Sequence, residues 1–135
     1  MIKRILGSVV VLGAWLLASS SVQAHHSLSG VYDIKTEGQI TGTLTRVAFT
    51  NPHGTMHLDV KNADGSMTEW IMTTGSANVL AGLGISKTGP NAVNIGDTVT
   101  IKYFAARNGA ALGFIRSITL ADKREIQISN GGSND

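Results

Sequence analysis

The chain has 135 residues and no cysteine, which excludes disulfides, a thiol nucleophile, a zinc–thiolate centre and a lipid-modified cysteine after a leader. Its formal charge of +2 rests on Lys3 and Arg4. Without those two, nine basic residues face nine acidic ones with no run of like charge, which argues against nucleic acid or an anionic membrane surface as a partner.

Residues 1–24 read as a secretory signal peptide. Lys3 and Arg4 supply the positive start, Ile5 to Leu17 the apolar centre, and Val22-Gln23-Ala24 the small-x-small end. The apolar run falls short of the roughly 20 residues of a membrane span, so an uncleaved anchor is the lesser reading. Cleavage after Ala24 leaves 111 residues, enough for one domain with a single modest core. The expected location is periplasmic or secreted, with membrane contact only during export.

After the leader, residues 25–37 read as an irregular polar lead-in. Gln39 to Phe49 is rich in Thr, Val and Ile and predicts a long strand. Ile40 and Leu44 share one face, whereas Val47 and Phe49 fall on the other. That switch of parity predicts a bend or bulge between Gly42 and Arg46, as in a strand curling around a barrel. Pro52 and Gly54 then break the strand. Thr55 to Lys61 alternates, with Met56, Leu58 and Val60 inward and Thr55, His57 and Asp59 outward. Asn62 to Gly65 predicts a hairpin turn, and Ser66 to Met72 the returning strand. On that strand Trp70 is expected to pack in the core rather than to offer a stacking platform.

Ser76 to Leu83 is the single helix candidate, capped by Ser76, presenting Val79, Leu80 and Leu83, and ended by Gly84. A loop follows over 87–96. Asp97 to Phe104 predicts a strand with Val99, Ile101 and Tyr103 inward. After a turn at Asn108-Gly109, Leu112 to Leu120 predicts another with Leu112, Phe114, Ile118 and Leu120 on one face. A short last strand is expected over 125–128, followed by a disordered polar tail over 129–135. The expected core contains Leu44, Leu58, Val60, Ile71, Val99, Ile101, Phe114 and Ile118. Three strands, a helix, then two or three strands predict a mainly β fold over 38–128: a five- to six-stranded OB-like barrel with one short helix. A small open sandwich is the alternative.

Several short motifs occur in order: A-H-H-S at Ala24–Ser27, T-N-P-H at Thr50–His53, L-D-V at Leu58–Val60, D-G at Asp64-Gly65, W-x-M at Trp70–Met72, G-S-x-N-x-L at Gly75–Leu80 and G-D-x-V-T at Gly96–Thr100. Together they resemble a family of small secreted bacterial proteins catalogued as a domain of unknown function. The resemblance spans roughly His25 to Asp122. It implies an export signal and a compact β-barrel and leaves the function open.

All four histidines fall in two short stretches, His25-His26 and His53–His57. Cleavage after Ala24 would put a free amine and an imidazole on His25 together. Such a residue chelates copper through two nitrogens, and a second imidazole completes a planar set that favours Cu(II). His26 points away from its neighbour in an extended chain, so His57 or His53 is expected to supply that imidazole, with His57 favoured because a regular strand holds it. Each histidine also has an ordinary reading: a polar terminus, a turn cap, a solvated strand position. No nucleophile motif, phosphate loop or H-E-x-x-H is present, and Asp59 and Glu69 read as solvated carboxylates. Two expectations follow: a periplasmic protein binding one copper ion through His25 with His57 or His53, or a metal-free accessory module docking another exported protein.

Overall fold

The computed structural model describes residues 28–130. The leader 1–24, His25, His26 and the tail 131–135 lie outside the described residues. A four-residue helix, α1 (Leu28–Val31), leads into β1 (Tyr32–Ala48). There follow β2 (Thr55–Lys61), β3 (Met67–Thr73), α2 (Ala77–Gly82), β4 (Thr98–Ala106), β5 (Leu112–Thr119) and β6 (Glu125–Gln127).

The sheet runs β3-β2-β1-β4-β5-β6, and a further parallel pairing of β3 with β5 closes five strands into a ring. The helix α2 lies in the chain between the third and fourth strands. This is the expected OB-like barrel. β1 serves both halves of the ring: Glu37 to Thr43 pairs with β4, and Thr43 to Ala48 pairs with β2. Residue Thr45 is the extra residue of a bulge between Leu44 and Arg46. The parity switch read from the sequence is therefore real. Ile40 and Leu44 before the bulge, and Val47 and Phe49 after it, all pack on one core.

The hairpin between β2 and β3 turns where expected. Gly65 adopts φ +87 and donates its amide to Asn62 O at 3.0 Å. Met56, Leu58 and Met72 fill the barrel, and Trp70 packs against that core with its ring 5.1 Å from Tyr103. The Tyr103 ring lies so close to two neighbouring strands that a Cβ at Gly38 or at Gly113 would approach it within 2.5 Å. α2 follows β3. Ser76 caps it by accepting from the Val79 amide, Leu80 enters the core, and Gly84 follows at φ +71. Val79, expected on the buried face, is instead 42% exposed.

Four further expectations need correction. β1 begins at Tyr32, not Gln39, because the polar residues of the lead-in form a strand with little to bury. In β5 a bulge at Arg116 separates the Tyr103–Ile115 pair from the Lys102–Ser117 pair. It moves Leu112 and Phe114 to the face opposite Ile118 and brings Ile115 into the barrel. Ile71 pairs directly with His57, faces outward and is only half-buried. Ser129, expected to open the tail, is buried and donates its amide to Arg116 O.

Phe114 is thus buried outside the barrel. With Tyr32, Phe104 and Ala106 it forms a satellite cluster against which Leu28 of α1 and Leu112 pack. The N-terminal segment lies on the outer face of the sheet, over the join between β3 and β5.

Candidate metal-binding histidines

His53 sits in the connection between β1 and β2, after a cis peptide at Asn51–Pro52. The Thr50 hydroxyl donates to His53 O at 2.7 Å. The connection is tied to the start of α2: the Ala77 amide donates to Thr50 O and to Asn51 Oδ1, each at 3.1 Å. Gly54 exchanges backbone bonds with Thr74 and Gly75, and a Cβ there would meet Ala48 O at 2.6 Å, so only glycine allows so close an approach. His53 is held in place by these contacts. Its Nδ1 lies 3.2 Å from Thr74 O, and its ring meets Phe114 edge-on with centroids 6.3 Å apart. A carbonyl accepts only, so Nδ1 carries the proton and Nε2 keeps its lone pair.

His57 sits mid-strand on β2, on the outer face. Its side chain is 16% exposed, and its Nδ1 lies 2.8 Å from Glu69 Oε1 on β3, a carboxylate that is 59% exposed. Here too the bond occupies Nδ1 and leaves Nε2 as the free ring nitrogen. A carboxylate or carbonyl on the remote ring nitrogen is the usual partner of a metal-ligating histidine. Sequence reasoning read Glu69 as a solvated carboxylate and missed its bond to His57. The signal was available: a hairpin turning at 62–65 pairs Asp59 with Glu69 and His57 with Ile71, which makes Glu69 the diagonal neighbour of His57.

The two rings are anchored to Glu69 on β3 and to Thr74 just past its end, five positions apart. At about 3.4 Å per residue that is roughly 17 Å, so the fold does not bring His53 and His57 to one point. Among the described residues no group of three or more histidine, aspartate or glutamate side chains is arranged to hold a metal ion. The expected site therefore needs His25, which lies outside the described residues.

Sequence reasoning also missed the contacts that fix the N-terminal segment. Tyr32 OH donates to Thr73 Oγ1 at 2.8 Å, and its ring lies 5.6 Å from Phe114. Arg107, just past β4, donates from Nε to Ser29 O at 2.8 Å and from its amide to Val31 O at 3.0 Å. A guanidinium nitrogen is 3.9 Å from Asp33 Oδ1. The Asp33 carboxyl is held below its ordinary range, first by the Thr36 hydroxyl, then by the Lys35 amide, with a smaller part from Arg107. On β6, Glu125 is held low by the Ser117 hydroxyl and by Lys102.

A closed five-stranded ring, a helix between its third and fourth strands, and histidines at the β1–β2 connection and on β2 define a small OB-like β-barrel domain. The chain belongs to the family described as a family of unknown function (DUF6152), whose profile matches residues 14–116. This is the kind of family that the ordered motifs from Ala24 to Thr100 resemble. No curated protein matches the chain.

Proposed function

We propose that the protein is an exported, periplasmic copper-binding protein that holds one Cu(II) through the His25 amine, the His25 ring and one further imidazole from His53 or His57. The observation that carries the reading is the state of those two rings. Each commits Nδ1 to an oxygen acceptor and leaves Nε2 for a ligand. The fold also brings Leu28, three residues past His25, onto the same outer face. Three residues of chain reach at most about 11 Å, so an N-terminal chelate can contact that face. The donors are nitrogen only, which suits Cu(II); zinc is expected to bind more weakly, since copper leads the affinity order and zinc prefers a tetrahedron.

The test is a copper titration by calorimetry with electron paramagnetic resonance, on protein processed to begin at His25. One residue added before His25 turns the chelating amine into an amide and should weaken binding strongly. Equal affinity for the two forms would sink the chelate. A second reading, a metal-free module that docks another exported protein, draws support from Ile95, which is 71% exposed beside Val47 and Val93. It gains ground if the processed protein binds no copper.

A further inference from the structure

We infer that the cleft beside Ile95 binds a medium-chain carboxylate, with the aliphatic tail on Val47, Val93 and Ile95 and the acid head on Lys87 and Asn94. The inference is independent of copper and goes beyond both readings above. These five residues line a cleft of about 350 Å³, toward the small end of ligand sites. Val93 is buried in the barrel core and Val47 packs against it. Ile95 stands beside them, 71% exposed.

An aliphatic side chain in water is ordinary; one fixed there by its backbone calls for a reason. Asn94 to Asp97 form a turn, closed by the Asp97 amide on Asn94 O at 3.1 Å and by the Asn94 amide on Asp97 Oδ2 at 2.8 Å. Gly96 takes φ +96, which the third position of such a turn gives to glycine. The turn is tied to β1, Gly96 N to Leu44 O at 2.7 Å and Leu44 N to Asp97 O at 2.9 Å. While these bonds hold, the backbone keeps Ile95 at the surface. The cation is presented in the same way. Ser86 Oγ accepts from the Thr88 amide at 3.2 Å and from the Gly89 amide at 2.7 Å, and Ser86 O accepts from the Val93 amide at 3.0 Å. Lys87 therefore rides a fixed turn at the rim, exposed. Neither its ammonium nor the Asn94 side-chain amide has a partner among the described residues, and no carboxylate lines the cleft. An apolar bed edged by an unpaired cation and a free amide donor complements an amphiphile with a carboxylate head.

The experiment titrates the exported protein, in chelator so that copper plays no part, with octanoate, hexanoate and octanol below their self-association limits. Amide chemical shifts are the readout. Octanoate should give saturable shifts at Lys87, Asn94, Ile95 and Gly96. Hexanoate, two methylenes shorter, should bind about five- to fifteenfold more weakly. Octanol, with an uncharged head, should bind at least about threefold more weakly. Lys87→Gln should lower octanoate to the level of octanol and leave octanol unchanged, whereas Lys87→Arg should keep octanoate. Ile95→Asn should weaken both. Both side chains are exposed, and circular dichroism checks that each variant folds. Equal binding of octanoate and octanol would overturn the carboxylate assignment. Shifts as strong around Val31, Ile34 and Met67 as around the cleft would mean surface adsorption and overturn the site. Shifts only with anionic vesicles would assign the face to a membrane surface instead. No shifts at all would overturn the site and leave Ile95 to the docking reading.

Discussion

Leu58→Ala tests the face assignment on which every statement about His57 depends. Leu58 has 0% of its surface exposed and lies between Leu44 on β1 and Trp70 on β3. The substitution removes three buried carbons, worth about 2.5 kcal/mol in transfer free energy at about 0.8 kcal/mol each. Both neighbouring strands are tied into a closed ring, so the walls collapse little and a cavity term adds to this. A loss of about 3–4 kcal/mol is expected, within the range seen for buried Leu→Ala changes. For a domain of this size that lowers Tm by roughly 15–25 °C. Urea unfolding followed by Trp fluorescence measures it, with an unchanged m-value showing that the denatured state is unaltered. A loss under about 1 kcal/mol would mean that the faces of β2 are reversed, and that His57 rather than Leu58 points into the barrel.

Gly113→Ala should cost about 1–3 kcal/mol by the same assay, because its Cβ would lie 2.5 Å from the Tyr103 ring and 3.0 Å from Met72 Sδ; a neutral result would refute that close approach. Stability should fall in acid. Asp33, Asp64, Asp122 and Glu125 all titrate below their ordinary values of 3.8 to 4.5 in the folded chain, so their contribution is full above about pH 4.5 and is lost as pH falls through the lower folded values. Urea midpoints between pH 6 and 3 test this, and Glu125→Gln should flatten the fall. Copper affinity should drop as pH falls from about 8 to 5, as the imidazoles and the α-amine take up protons; a flat profile would refute nitrogen ligation.

Much of the barrel was legible because its strands bury one face and wet the other. Met56 and Leu58, or Val99 and Ile101, announce themselves by alternation. The bulge at Thr45 was readable because the apolar parity switches across it. The bulge at Arg116 was not. Both faces of β5 are apolar there, since α1 covers the outer one, and Leu112, Phe114, Ile118 and Leu120 keep even numbering through the break. The start of β1 was hidden for the opposite reason: from Asp33 to Glu37 the strand has no covered face to advertise. For the site, the candidates His53 and His57 were visible as residues. Their acceptors, Glu69 and Thr74 O, depend on strand register, and only Glu69 could have been counted from the hairpin. The grip of Arg107 on Ser29, a long-range contact to a backbone carbonyl, leaves no trace in composition or spacing.

The parallel join between β3 and β5 spans only Ile71–Leu112, Met72–Gly113 and Thr73–Phe114. Every other junction of the ring is antiparallel. So short a join is where the ring can part most cheaply, as a zip gives at its last teeth. The N-terminal segment lies across it, with Tyr32 fastened to Thr73 on one side and its ring tilted against Phe114 on the other. The segment around Tyr32 is therefore a bar across the opening. Whatever fixes that segment to the sheet also slows the parting of the ring, and amide exchange at Met72 and Thr73 would report occupancy of the outer face from inside the wall.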